Sequence, residues 1–357
     1  FKQALNNHDL KTARRLRQDV HAIVRKKPIL PPYDRAADML YNVKEGNEID
    51  AIIEARFLAK LPELNSDIVQ SVIETFSDFN YSEELIDYLN LVHSKYPQDI
   101  PTIESYFSQL FLHRRFNQCQ IVAMELYRLK KSTQNQLYAA VASFMKAKSM
   151  EESITKFDSS DFNSELPGNL KTQRTLYYTM AIKLVTQSGD DCIDGNRLIV
   201  ESQIALEQFD EALSTLESKL DTVFSKDMIT YFRLKMHALY KKFVKTKDES
   251  ISQIIAETAI KFIETICIDS IDEWRLIVEF HPNPNEIIDK SINKSRGAFL
   301  AKIEYSLKQI QLSNGQPEKV DDFIQLVLEY SNKYSNRPFV LDDLLPYLKF
   351  EYPPTIS

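Results

Sequence analysis

Small and apolar side chains recur at a fixed interval in the first half of the chain. One series is Ala51, Leu85, Cys119 and Ser153, and a second series four positions later is Ala55, Leu89, Ala123 and Phe157. An apolar run moves by the same step, from Val69, Val72, Ile73 and Phe76 to Ile103, Tyr106, Phe107 and Leu110. Spacings of three and four within each run predict helices. Each repeat is therefore predicted to contain two helices, with the first series opening the second helix.

This interval matches the helix–turn–helix period of tetratricopeptide repeats, which is about 34 residues. A later segment shows the same unit, because an apolar helix around Ile199–Ile204 is followed by the turn Phe209-Asp210-Glu211-Ala212. Each hairpin of such a repeat buries its apolar face only against its neighbours. We therefore predict an all-α fold of tetratricopeptide-like hairpins stacked in a right-handed superhelix, an α-solenoid whose concave surface holds another protein.

The low glycine content argues against other folds and against phosphate-binding loops. The chain has six glycines in 357 residues, and no two of them fit GxGxxG or GxxxxGK[ST]. An average protein has about 7% glycine, and hairpin-rich sheets need it at their turns. Sandwiches, barrels and nucleotide-binding loops are therefore not expected.

Motifs that carry chemistry are also absent from the sequence. The six histidines form no HExxH, no CxxC occurs, and no serine lies in GxSxG. The stretch Lys294–Phe299 approaches the coenzyme A turn of GNAT-fold acetyltransferases, but it lacks the Arg or Gln of the first position. We predict that this chain is not an enzyme and has no catalytic residue, no metal site and no cofactor.

The charge is unevenly distributed along the chain. The net charge is −7, which argues against a DNA-binding protein, yet residues 1–27 hold eight Lys or Arg and two Asp. The candidate contacts to ribosomal RNA are Arg14, Arg15, Arg17, Arg25, Lys26 and Lys27. The alternative is that these side chains are solvated residues on the outer face of a first helix. No apolar run is long enough to span a bilayer, so we expect no membrane contact and a cytoplasmic location.

The helical pattern divides the chain into three predicted segments. Residues 1–157 carry the N-terminal repeats, and residues 198–357 carry further helical repeats with the partner-binding region. The intervening residues 158–197 interrupt the repeat spacing with polar and Pro-Gly stretches around one helix at 170–187.

Two stretches near the end of the chain resemble the auxiliary subunit of the N-terminal acetyltransferase B (NatB) complex. Arg296–Glu304, RGAFLAKIE, is similar to the RGPxLA[RK]LE of that family, and Tyr330–Leu344, YSNKYSNRPFVLDDL, is similar to YFxKFGxKPxxxxDL. Asp272-Glu273-Trp274 resembles the D-[DE]-W of the family. The family is longer, so we expect this chain to be an N-terminal portion of a longer protein.

The resemblance implies a non-catalytic scaffold that wraps a GNAT-fold catalytic subunit, which binds acetyl-CoA. In that family the heterodimer acetylates nascent N-termini that begin Met-Asp, Met-Glu, Met-Asn or Met-Gln, at the ribosome. The alternatives are the auxiliary subunit of the related NatA complex and a generic tetratricopeptide adaptor, for which we find no Lys/Asn carboxylate clamp.

The resemblance also supplies the candidate partner-binding residues. They are Arg296, Phe299, Lys302, Lys333, Tyr334, Arg337, Pro338, Phe339, Asp343 and Leu344. The surface is expected to centre on 333–345, where Phe339 follows the helix-ending Pro338. The alternative for Phe339 is that it fills the core of the next repeat.

Overall fold

The computed structural model describes residues 4, 9–24, 31–158, 168–189, 191–313, 316–335 and 340–348. All regular structure in these ranges is helical. The chain divides into two compact units, unit 1 (Phe1–Asp190) and unit 2 (Asp191–Ser357). None of the described helices has the length and apolar character needed to cross a membrane. The predicted all-α fold is confirmed.

Unit 1 contains nine described helices: α1 (Leu10–Val24), α2 (Pro32–Lys44), α3 (Glu48–Ala59), α4 (Ser66–Asp78), α5 (Ser82–Lys95), α6 (Ile100–Leu112), α7 (Phe116–Leu129), α8 (Thr133–Asp158) and α9 (Gly168–Ser188). Each of α2 to α7 packs on the next helix, and α2 and α3 also pack on the next but one. This arrangement is that of stacked helical hairpins, as the tetratricopeptide period predicts.

The predicted period holds through three hairpins. The second helices α3, α5 and α7 begin at Glu48, Ser82 and Phe116. Their fourth residues are Ala51, Leu85 and Cys119, and all three are at most 1% exposed. The repeated positions therefore pack where the two helices of a hairpin cross.

A left-handed residue follows the first helix in four of the described hairpins, α2–α3, α4–α5, α6–α7 and α10–α11. Gly46, Asn80 and Arg114 occupy equivalent positions of successive hairpins and have φ of 77°, 60° and 56°, and Glu207 in unit 2 has φ of 61°. The next residue donates its backbone N–H to the carbonyl five positions earlier, as Asn47 does to Asn42 at 2.8 Å. This is the Schellman arrangement, which satisfies carbonyl groups at the helix end.

The prediction that Ser153 opens a second helix is wrong. Ser153 lies inside α8, which runs without a break for 26 residues, and its Oγ donates to the carbonyl of Ser149 at 2.9 Å. The sequence from Met145 to Glu152 contains no Gly or Pro and is rich in helix-forming residues, so nothing ends the helix there.

Helix α9, which corresponds to the helix expected at 170–187, packs on α8. Gln136 Nε2 donates to the carbonyl of Leu184 at 2.8 Å, and the Tyr178 hydroxyl donates to Glu151 at 2.7 Å. Residue numbers thus rise along α8 as they fall along α9, so the two helices are antiparallel. The division at 157/158 and 197/198 stays a prediction.

Unit 2 contains nine described α-helices: α10 (Ile193–Ala205), α11 (Phe209–Ser218), α12 (Met228–Thr246), α13 (Glu249–Thr265), α14 (Ile271–Phe280), α15 (Pro284–Ser291), α16 (Arg296–Leu312), α17 (Pro317–Lys333) and α18 (Val340–Leu348). A short 3₁₀ turn, Phe224–Lys226, precedes α12. The turn predicted around Phe209 and Ala212 begins α11, and Ala212 is fully buried. The core of this unit includes Phe232, Phe262 and Trp274, which pack between α12, α13 and α14.

Candidate partner-binding surface

The N-terminus of α16 is fixed to the connection before α14. Ser295 caps α16 by accepting the backbone N–H of Ala298 at 3.1 Å, and its hydroxyl lies 2.8 Å from the carbonyl of Ile268. Asp269 Oδ1 accepts the backbone N–H of Arg296 at 2.8 Å. These contacts place the first side chain of α16, Arg296, beside α17 and α18.

Arg296, Tyr330 and Asp343 form a hydrogen-bonded triad that joins α16, α17 and α18. Arg296 Nε lies 3.0 Å from both the Tyr330 hydroxyl and Asp343 Oδ2, and its Nη2 pairs with Asp343 Oδ1. The Tyr330 hydroxyl donates to Asp343 Oδ2 at 2.8 Å. Charge-assisted bonds of this kind are the stronger hydrogen bonds of proteins.

Burial and these bonds shift two ionisation equilibria of the triad. Burial raises the pKa of Tyr330 to about 12. Burial alone would lower the pKa of Arg296, but its hydrogen bonds to Tyr330 and Asp343 outweigh that effect and raise it. The triad is thus held with Arg296 charged and Tyr330 neutral at physiological pH.

An aromatic cluster continues the triad on the same side. The Tyr330 ring lies 5.5 Å from that of Phe299 and 4.7 Å from that of Tyr334. Lys333 Nζ is 5.4 Å from the centre of the Phe299 ring and donates to the carbonyl of Ile292 at 3.3 Å. Leu344 is buried in the same cluster. Of these residues, only Lys333 is exposed.

Lys302 lies on a polar groove between α15, α16 and α17. Its Nζ pairs with Asp289 at 2.6 Å and bonds Asn285 Oδ1. The groove has a volume of about 420 Å³ and is also lined by Tyr305 and Gln309. Lys302 is thus partnered within the chain, and its groove offers hydroxyl and amide groups to a ligand.

The triad also borders an acidic cavity of about 360 Å³ between α14, α16 and α18. Four carboxylates and one guanidinium line it, namely those of Asp269, Asp272, Asp342, Asp343 and Arg275. Burial raises the pKa of Tyr347, which also lines this cavity. The net negative lining favours cationic over anionic groups.

Gly297 and Trp274 pack closely against each other, a contact that the sequence patterns did not predict. A Cβ at Gly297 would lie 2.7 Å from Trp274 Cδ1 and 3.0 Å from the carbonyl oxygen of Asp269. Trp274 is fully buried, and its Nε1 donates to the carbonyl of Ile268 at 2.6 Å. Both residues lie in stretches that resemble the NatB family, and that coincidence was the available signal of their contact.

The structure therefore brings six predicted site residues together where α16, α17 and α18 meet: Arg296, Phe299, Lys333, Tyr334, Asp343 and Leu344. The seventh, Lys302, pairs with Asp289 of α15 in the groove described above. Arg337, Pro338 and Phe339 lie outside the described residues. The contacts seen are all within the chain, and contact with a partner stays a prediction.

The basic residues of the N-terminal segment differ in their environments. Arg17 pairs with Asp38 at 3.1 Å, and Arg14 Nε donates to the Tyr41 hydroxyl at 3.1 Å. Arg15 is exposed, and no partner for it occurs in the part of the chain that the structure describes. Arg25, Lys26 and Lys27 lie outside that part. Ribosome contact stays a prediction.

No group of three or more His, Cys, Asp or Glu among the described residues could hold a metal ion. Burial raises the pKa of Cys119 to about 12, so its thiol stays protonated at neutral pH.

The stretch Lys294–Phe299, which approaches the coenzyme A turn in sequence, forms the N-terminal end of α16. Two of its backbone N–H groups already have acceptors within the chain: Ser295 accepts that of Ala298, and Asp269 accepts that of Arg296.

Comparisons with known proteins give a likeness in structure but not in sequence. No protein-family model matches the sequence, and a comparison with curated proteins finds no match. A solved structure, that of Naa15/Naa10 bound to HypK-THB, is similar with a TM-score of 0.48 and 11% sequence identity. The similarity covers 98% of this chain and 54% of that one, so the chain spans about half the length of the protein that it matches.

Proposed function

We propose that the chain is a non-catalytic scaffold subunit of an N-terminal acetyltransferase complex of the NatB type. It holds a GNAT-fold catalytic subunit, which binds acetyl-CoA and acetylates N-termini beginning Met-Asp, Met-Glu, Met-Asn or Met-Gln. The complex works in the cytoplasm, at the ribosome. The proposal assigns the chemistry to the partner and the positioning of that partner to this chain.

The supporting observation is the contact between the two family-like stretches. Arg296 belongs to the first stretch, and Tyr330 and Asp343 belong to the second, 34 and 47 residues away. The three side chains bond one another directly, and Gly297 of the first stretch packs on Trp274 of the D-[DE]-W motif. The three stretches that resemble the NatB family are far apart in the sequence but contact one another in the fold. This is expected if the resemblance reflects a shared structure.

Co-expression with candidate catalytic subunits tests the proposal. The 357-residue chain is expected to co-purify with a NatB catalytic subunit and not with a NatA one. The purified complex should acetylate a peptide that begins Met-Asp but not the same peptide beginning Met-Lys. Co-purification with the NatA subunit alone, or with neither, would contradict the NatB assignment.

A double variant tests the predicted surface. Phe339→Ala with Arg337→Glu should abolish pull-down of the catalytic subunit and leave the helical circular dichroism signal and melting temperature unchanged. The matched control is Phe57→Ala with Arg56→Glu, an exposed Phe and Arg on α3, which should bind normally. Wild-type binding by the first variant, or its unfolding, would overturn the surface assignment.

A further inference from the structure

One face of α12 carries exposed apolar and basic side chains together. Ile229, Tyr240 and Val244 are 46%, 38% and 44% exposed, and Arg233 and Lys241 are exposed as well. At about 100° per residue, Ile229, Arg233, Tyr240 and Val244 fall within a sector of roughly 60°, over about 22 Å of helix length. Lys241 lies about 60° beyond the edge of this sector, on the side of Val244, and the five residues are called the α12 stripe.

Three lysines of α12 that lie outside the stripe pair with carboxylates of the preceding helix and turn. Lys235 pairs with Glu217 at 2.6 Å, and Lys242 pairs with Asp210 at 2.6 Å. Lys245 pairs with Glu207. All three carboxylates come from α11 and the turn before it, so a ladder of ion pairs joins α11 to α12.

Arg233 and Lys241 stand outside this ladder. No carboxylate partner for either one occurs among the residues that the structure describes. Arg233 lies among the exposed apolar side chains, between Ile229 and Tyr240 along the helix, and Lys241 lies to one side of them. The complementary ligand has carboxylates close to an apolar strip, because such a ligand buries the apolar groups and neutralises both cations.

The backbone of α12 favours a helical ligand over an extended one. The N–H and C=O groups in the middle of a helix are bonded within that helix, so the stripe offers only side chains. An extended chain lying on it would leave its own backbone groups without partners over the apolar part, whereas a helix satisfies them internally. A length of about 22 Å corresponds to roughly 15 helical residues.

We propose that the α12 stripe binds an acidic amphipathic helix of a partner protein. Apolar residues of that helix pack on Ile229, Tyr240 and Val244, and carboxylates beside them pair with Arg233 and Lys241. The proposal is independent of the NatB assignment, because it concerns a different helix face and is tested by peptide binding to this chain alone.

The test is a fluorescence anisotropy titration of the 357-residue chain. The probe is a labelled helical peptide of about 16 residues, with leucine at every third or fourth position and glutamate on both flanks. A second peptide has lysine in place of every glutamate, and a short single-stranded RNA tests for general binding of polyanions. We expect saturable binding of the glutamate peptide only.

Charge variants locate the binding. Arg233→Glu with Lys241→Glu should weaken binding of the glutamate peptide by about tenfold or more and should allow some binding of the lysine peptide, which the wild-type chain does not bind. The matched control, Lys171→Glu with Lys183→Glu, changes two exposed lysines of α9 and should leave the affinity unchanged. If the reversed variant fails to fold, Arg233→Gln with Lys241→Gln gives the same comparison with a smaller expected loss.

An apolar variant completes the test. Ile229→Ser with Val244→Ser should also weaken binding of the glutamate peptide by about tenfold, because both side chains lose their buried contact. The proposal is overturned if neither peptide binds, if both bind equally, or if the stripe variants bind as the wild type does. Binding of RNA that the same charge variant removes, without peptide binding, would also overturn it.

Discussion

Gly297→Ala should destabilise unit 2, although the same change usually stabilises a helix. The Cβ of alanine would lie 2.7 Å from Trp274 Cδ1 and 3.0 Å from the carbonyl oxygen of Asp269. Trp274 cannot move away easily, because it is fully buried and its Nε1 is bonded to the carbonyl of Ile268. The second contact is with backbone, which cannot change rotamer.

The two opposing effects set the expected magnitude. Replacing Gly by Ala in a helix interior gains about 1 kcal/mol, which is an upper limit here because Gly297 is the second residue of α16. Overpacking in a well-packed core costs about 1–3 kcal/mol. Since both close contacts are with groups held in place, we expect the upper part of that range and a net loss of about 1–2 kcal/mol.

The assay uses the fluorescence of Trp274, which is the only tryptophan of the chain. It therefore reports the unfolding of unit 2 at the substituted site. For a unit of residues 191–357, the expected loss lowers the melting temperature by roughly 2–8 °C. An unchanged or higher melting temperature would refute the close contact.

A double-mutant cycle separates the contact from other effects of the substitution. Trp274→Val removes every δ atom, so Gly297→Ala should cost at least about 1 kcal/mol less in that background. Circular dichroism replaces fluorescence as the probe because the tryptophan is gone. Additive effects of the two changes would show that the cost of alanine does not come from Trp274.

Three further predictions concern other parts of the fold. Arg114→Gly should stabilise the chain by about 0.5–1 kcal/mol, because Arg114 has φ of 56°, and Gly46→Ala should destabilise it by a similar amount. Thermal melts check both, and a loss for Arg114→Gly would contradict the first. Ala212→Phe should destabilise unit 2 by about 1–3 kcal/mol, since Ala212 is fully buried. An unchanged melting temperature would contradict the placement of Ala212 in a tightly packed core. Burial raises the pKa of Tyr330 from 10 to about 12, so its stabilising effect is complete below pH 10 and is lost as the pH rises through 12. Urea unfolding at pH 9 and above pH 11 should therefore show a smaller loss for Tyr330→Phe than for the wild type, and an equal loss would contradict this assignment.

The repeat could be predicted from the sequence because its signal lies in core residues. Ala51, Leu85 and Cys119 are buried at equivalent crossings, and packing restricts the side chains that such positions accept. The turn residues give no comparable signal. Gly46, Asn80 and Arg114 share one backbone conformation but no side-chain property, because backbone bonds rather than side chains hold the turn.

The false repeat at Ser153 shows the limit of a spacing argument. The apolar pattern of one helix repeats every three or four residues, so a longer helix also offers matches at the distance of one full repeat. What separates the two cases is a residue that ends the helix, and α8 has none between Met145 and Glu152. Turn signals therefore have to accompany a period before each repeat is counted.

The triad could not be predicted from periodicity, since the sequence positions of Arg296 and Asp343 do not determine which helices meet. Its existence limits which variants can test partner binding. Removing Arg296 or Asp343 leaves a partly buried charge without its partner, which is strongly destabilising. Loss of binding in such a variant would follow from misplacement of α18 alone. Lys333 is different, because it is exposed and its bond goes to a backbone carbonyl. Lys333→Ala therefore removes a predicted partner contact while the triad stays intact, and its effect on pull-down separates partner binding from the internal packing of α16, α17 and α18.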